Sequence, residues 1–261
     1  MPELGKIAVN LIPEKNRQFH VFCVGLPRSG THSLANLFRL NYRADHEPYH
    51  GATVKLLIDL YKNKISKDRI INHLKVKDEI LQLELEAAHY LYKLVPELVS
   101  LFPESKFILT VREPRSWLES EINMNYRSVR GKIWSRLEYA RYDKYGFEYK
   151  IPKLKNIKGV YPISSYLHYY LEHIDLVLKS VPPERLLILD TFNLNGSIDK
   201  LCDFTGADKK RLNFTKIHSS KNSEKQIHLN ESVSEDVLNK KIEDICKKYI
   251  CKNLPVLEKY I

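Results

Sequence analysis

A short apolar run that ends in a glycine-bracketed turn and passes into an amphipathic segment constrains this chain most: HVFCVGLPRSGTHSLANLF, residues 20–38. Residues 19–26 read as a buried strand, short, β-branched and aromatic, stopped by glycine and proline. Residues 31–40 read as a helix with Leu34, Leu37, Phe38 and Leu40 on its apolar face. A strand, a tight turn and a helix in this order converge backbone N–H groups on a helix N-terminus, which is an anion site. The turn GLPRSGTHS (25–33) holds G-x-x-x-x-G, as a Walker A loop does. Thr31 and His32 stand where such a loop has the lysine that reaches the phosphates and the hydroxyl that binds Mg²⁺. The basic residue lies inside the loop instead, at Arg28, among the hydroxyls of Ser29, Thr31 and Ser33.

Further strands are read at 106–111 (KFILTV), at 185–190 (RLLILD) and at 79–86 (EILQLELE), the last from its period-two alternation; Tyr42 to Asp45 offers a short one. Helical periodicity runs through 51–62, 66–75, 88–101 and 161–180, through 197–206 up to Gly206, and through 234–250, with Val237, Leu238, Ile242, Ile245 and Tyr249 on one face. Pro114 suits a first helical turn. Residues 135–170 hold eight of the sixteen tyrosines, read as packing residues or as lining for an acceptor pocket. Strands separated by helices predict an α/β fold: a central parallel sheet carrying 19–26, 80–86, 106–111 and 185–190, with helices on both faces. No repeat or linker interrupts the pattern, so 1–261 reads as a single domain.

The net charge of +10 favours anionic ligands. The lysines are scattered and form no nucleic-acid motif, so nucleic acid is not expected as a partner. The N-terminus lacks the apolar core of a secretory signal, and no run reaches the ~20 apolar residues of a membrane span. Cys23, Cys202, Cys246 and Cys251 show no C-x-x-C spacing, which reads as reduced thiols in a cytoplasmic protein without a zinc site.

The loop around Arg28, together with KFILTVREPRSWLESEINMNY, resembles the two cofactor signatures of sulfotransferases that use 3′-phosphoadenylyl sulfate (PAPS). The similarity extends over about residues 19–222, through YLHYYLEHIDLVLKSVPPERLLILDTFNL. The resemblance implies a P-loop nucleotide-hydrolase-like fold. It also implies that Arg28, Ser29, Gly30, Thr31, His32 and Ser33 hold the 5′-phosphosulfate, and that Arg112 with Ser120, eight residues on, grips the 3′-phosphate. The family's final glycine-rich basic loop has only HSSKNSEK (218–225) as a counterpart, with Lys221 as its basic residue. No metal is required by the implied chemistry, because a sulfuryl group carries less charge than a phosphoryl group and a cationic side chain with backbone amides suffices.

Removal of the acceptor proton calls for a base. YRADHEPYH (42–50) offers Glu47, His46 and His50, where carbohydrate-type members place a glutamate. LELEAAH (83–89) offers Glu84, Glu86 and His89, near where small-molecule members place a histidine. Glu47 stands first, then Glu86 and His46. The implied activity is sulfuryl transfer to a hydroxyl or amine of a soluble, natural-product-like small molecule, without membrane insertion. Carbohydrate sulfation and a P-loop nucleotide kinase or hydrolase are the alternatives. The acceptor and the oligomeric state are not encoded in any motif.

Overall fold

Five short strands make the sheet, and the β-branched and aromatic residues concentrate in the VFC and KFILTV segments, which are almost wholly buried. In the computed structural model, which describes residues 17–127, 131–146, 159–214 and 233–260, the five strands are β1 (Val21–Cys23), β2 (Ala44–His46), β3 (Leu85–Ala87), β4 (Lys106–Val111) and β5 (Leu186–Asp190). They pair in the order β2-β3-β1-β4-β5, and every pair is parallel. Beyond β1 the chain keeps its bonds to β4: Val24 N–H donates to Ile108 O at 2.9 Å and Leu26 N–H to Thr110 O at 3.2 Å. The expected α/β parallel sheet is therefore present.

The helices are α1 (Thr31–Phe38), α2 (His50–Tyr61), α3 (Lys67–Leu81), α4 (Val95–Leu101), α5 (Pro114–Arg127), α6 (Lys132–Tyr142), α7 (Ile163–Ser180), α8 (Ile198–Thr205), α9 (Glu235–Ile242), α10 (Lys248–Asn253) and α11 (Pro255–Glu258). Alternation along β4 divides the core. Phe107, Leu109 and Val111 meet α2, α4, α5, α7 and the C-terminal helices. Ile108 faces the other way, onto α1 and α8 through Leu34, Phe38, Ile198 and Leu201. Among the described residues no helix is long and apolar enough to cross a membrane.

Several boundaries differ from the sequence reading. Residues 79–81 belong to α3, which ends when Gln82 turns left-handed at φ 47° and returns its N–H to Asp78 O. Ile80 is 60% exposed, so the alternation in EILQLELE is the last helical turn followed by a short strand. The expected helix at 88–101 is a 3₁₀ turn (His89–Leu94) followed by α4. Pro96 causes the break, because it has no N–H to give and its ring would crowd the preceding turn. Leu40 lies past the end of α1 and is 70% exposed. The closing segment buries Leu238, Ile242, Cys246 and Ile250, every fourth residue. A regular α-helix would rotate that row off the core, and a π turn over Glu243–Lys247 restores it by lowering the rotation per residue.

Candidate active site

Each strand delivers one residue to the same edge of the sheet: Arg28 after β1, Glu47 after β2, His89 after β3, Arg112 after β4 and Thr191 after β5. All five line one cavity of about 640 Å³. This is the crevice outside the carboxyl ends of parallel strands, where α/β sheets bind ligands.

The loop after β1 is held from several sides. An added Cβ on Gly25 would stand 1.8 Å from Thr110 Oγ1, so only glycine lets β1 approach β4 there. Trp117 Nε1 donates to Pro27 O at 2.8 Å. Arg28 takes the left-handed conformation at φ 60° and Gly30 at φ 90°. For Arg28 that geometry is uncommon and strained. Gly30 opens α1, whose first turn has no acidic residue. The N–H groups of Thr31, His32 and Ser33 have no acceptor within the helix, and all three residues line the cavity. Ser29 departs from its sequence-assigned role in one respect. Its hydroxyl is buried against Leu26 O, Thr110 O and Thr110 Oγ1 at 2.6–2.8 Å, so it is turned into the sheet and not towards the cavity.

The second arginine stands beside the first. Arg112 Nη1 donates to Arg28 O at 3.4 Å, and its guanidinium lies 5.3 Å over the Phe192 ring. Sequence spacing paired Arg112 with Ser120. In the structure α5 supplies two serines one turn apart. Arg112 Nε donates to Ser116 Oγ at 2.9 Å and Arg28 Nε to Ser120 Oγ at 3.1 Å. Glu113, the nearest carboxylate in sequence, accepts the N–H groups of Arg115 and Ser116 and so caps α5. Burial, then the charge of Arg28, pull the Arg112 guanidinium below its usual range. Two adjacent guanidiniums at a helix N-terminus fit a polyanionic ligand, which would relieve their repulsion.

Glu47, also left-handed at φ 55°, accepts from His89 Nδ1 at 2.7 Å. Burial opposes its charge. The hydrogen bond from His89 and the charge of Arg141 nonetheless hold the carboxyl below the usual carboxylate range. His46 Nε2 lies 3.2 Å from Thr31 Oγ1, and burial pushes its imidazole down to about 4. The ring of Trp134 stacks against His89 and His50. Glu86 is elsewhere: it forms a buried ion pair with Lys77 and does not line the cavity. Glu84 accepts the N–H groups of Gln18 and Arg43 and so ties the entry to β1 to β2. Lys221 and the stretch 218–225 lie outside the described residues. Among the described residues no cluster of three or more His, Cys, Asp or Glu could hold a metal.

Of the residues at the site, His89 was named from sequence only as a lesser candidate base, and Arg141, Trp134, Thr191 and Phe192 were not singled out. For His89 and Thr191 a signal existed, since each follows a strand at its carboxyl end. Arg141 carries none, being one of several basic residues on a helix.

His46 and His73 are pushed down to about 4 by burial, and burial also lowers His89 and His173. Their unfolded forms bind protons near pH 6.5 and the folded forms do not. Stability is therefore greatest above that pH and is lost as pH falls from about 6.5 towards 4. Each depressed unit is worth ~1.4 kcal/mol, so unfolding by urea at pH 7 and pH 5 should differ by at least about 2 kcal/mol. Equal midpoints would show that these imidazoles are not held neutral.

The sulfotransferase domain family matches residues 20–223, most of the chain. "Ava biosynthesis cluster protein M" of Aspergillus versicolor is 35% identical over 103 residues, which take in 36% of this chain and 39% of that protein. The match thus spans well under half of that relative. A sulfotransferase from Alicyclobacillus acidocaldarius superposes with a TM-score of 0.50 at 13% identity, covering 92% of this chain and 98% of its own. The sulfotransferase STF9 of Mycobacterium avium gives 0.49 at 10% identity, covering 91% of this chain and 77% of its own. With the sheet order, the loop after β1 and the paired arginines in place, the chain belongs to the sulfotransferase domain family.

Proposed function

We propose that this chain transfers a sulfuryl group from PAPS to a hydroxyl or amine of a soluble small molecule, acting in the cytoplasm as one catalytic domain. The observation that carries the donor assignment is the pair of guanidiniums, each latched to a serine of α5 and both set at the N-terminus of α1. Arg112, braced by Ser116, reads the 3′-phosphate. Arg28, braced by Ser120, and the N–H groups of Thr31, His32 and Ser33 hold the 5′-phosphosulfate. When bound, PAPS supplies an activated sulfuryl group. Glu47 takes the acceptor proton, and Arg28 offsets the negative charge that builds on the departing phosphate oxygen. A relative named for a biosynthesis cluster supports a small-molecule acceptor. A nucleotide kinase or hydrolase would need a loop lysine, and Thr31 stands in its place.

Calorimetric titration in the presence of EDTA tests the donor site. Wild type should bind adenosine 3′,5′-bisphosphate without metal. A hydrogen bond to a charged group is worth about 1.5–3 kcal/mol, so Arg112→Ala should weaken that nucleotide by at least about tenfold. It should weaken 5′-AMP, which lacks the 3′-phosphate, much less. An equal loss for both would remove Arg112 from 3′-phosphate recognition, and preferential binding of ATP with Mg²⁺ would restore the hydrolase reading.

A further inference from the structure

Arg141 lies at the end of α6 and is 1% exposed. Its Nη1 stands 3.0 Å from His89 Nε2, its guanidinium lies 5.4 Å over the Tyr169 ring, and its Nε has no partner. It forms no ion pair among the described residues. A buried guanidinium without a carboxylate is costly to keep, so its placement calls for a purpose.

Donor and acceptor logic supplies one. Arginine only donates and does not lose its proton. His89 Nε2 must therefore accept, which leaves the single ring proton of neutral His89 on Nδ1. That N–H points at Glu47 Oε1, 2.7 Å away. Both nitrogens of His89 are thereby committed, so the imidazole cannot itself take the acceptor proton. Glu47 Oε1 is committed as well, leaving Oε2 for the acceptor.

We propose that Arg141 is a positioning residue for sulfuryl transfer: it locks His89 as a neutral Nδ1–H donor, which orients Glu47 as the carboxylate base. This rests on the function proposed above. The groups facing His89 from the surrounding elements are His46 and Glu47 at the end of β2, His50 of α2 through Trp134, Glu121 of α5, Arg141 of α6 and His173 of α7. Burial, then the Arg141 charge, hold His89 below the ordinary histidine range, against Glu47 and Glu121. Without Arg141 the imidazole charges more readily. An imidazolium 2.7 Å from Glu47 would draw down the proton affinity that the base needs.

The test is nitrogen-15 NMR of histidine-labelled protein with no nucleotide or acceptor, the His89 signals being assigned by their loss in His89→Gln. In wild type His89 should show the neutral Nδ1–H pattern from pH 8 to 5.5. In Arg141→Met it should take up a proton within that range, at least one pH unit above wild type. In turnover with PAPS, Arg141→Met should move the acid limb of kcat upward by at least one pH unit with KM nearly unchanged. Arg141→Lys, which can still donate to Nε2, should recover most of the loss. A wild-type His89 carrying its proton on Nε2 overturns the inference whether or not Arg141→Met folds. So does a titration unmoved in Arg141→Met. A moved titration in a protein that transfers no sulfuryl group overturns the proposed function instead and leaves the lock standing.

Discussion

Glu47→Gln is expected to lower the single-turnover rate of sulfuryl transfer by about 10²–10⁴-fold, the span of a positioned general base. Affinity for adenosine 3′,5′-bisphosphate should change by less than about threefold, a fraction of one 1.4 kcal/mol step. The substitution is a clean one. A glutamine oxygen can still accept from His89 Nδ1, now 2.7 Å from Glu47 Oε1, so the hydrogen bond and the stacking of His89 on Trp134 persist. Only the charge is lost. The left-handed backbone at Glu47 (φ 55°) is unchanged, and the two arginines belong to other strands. The carboxyl is held below its usual range, so it stays ionised through neutral pH, and the wild-type rate should show no loss of this group between about pH 6 and 8. His46→Asn is the companion measurement. Its imidazole faces Thr31 and is neutral at pH 7, so a fall much smaller than that of Glu47→Gln is expected. A full rate in Glu47→Gln with a collapsed rate in His46→Asn would move the base one residue back.

The sheet was legible because period and punctuation agree where strands are buried on both faces. β4 and β5 were read within one residue, and the unit around Arg28 was read from its apolar run, its bracketing glycines and the apolar face that follows. The reading failed where one segment obeyed two periods. EILQLELE alternates by hydropathy, yet the stripe formed by Ile70, Leu74 and Lys77 carries α3 through Leu81, and the strand is left with Leu85–Ala87. That shift bears on the site. With β3 ending at Ala87, the residue that emerges at the carboxyl edge is His89, while Glu86 turns back onto Lys77. Motif spacing likewise named Arg112 and Ser120 but could not show the exchange of partners, in which Ser120 braces Arg28 and Ser116 braces Arg112. Arg141 is legible only in three dimensions, because its partner His89 lies 52 positions away and no spacing rule links them.

Arg28→Ala is expected to lower the single-turnover rate by about 10²–10³-fold, the cost of removing one preorganised group that meets developing charge. It should weaken adenosine 3′,5′-bisphosphate by less than about tenfold, or 1.4 kcal/mol. The asymmetry follows from where the charge goes. In the proposed reaction the contact of Arg28 would strengthen as negative charge leaves the sulfuryl group for the phosphate oxygen, and so would contribute more to the transition state than to either ground state. Arg28→Lys should not rescue the rate fully, because an ammonium has no planar fork to serve both Ser120 Oγ, 3.1 Å from Arg28 Nε, and an oxyanion. The backbone gives an independent readout. A non-glycine residue at φ 60° carries roughly 1–2 kcal/mol of left-handed strain, which glycine does not. Arg28→Gly should therefore be more stable to urea than Arg28→Ala while transferring sulfuryl groups just as slowly. That pairing separates the charge of the side chain from the shape of the loop. If Arg28→Gly kept the wild-type rate, the loop geometry alone would be doing the catalysis. If Arg28→Ala lost rate and product affinity in equal measure, Arg28 would be a uniform binding group, and the charge stabilisation assigned to it would pass to the N–H groups of Thr31, His32 and Ser33.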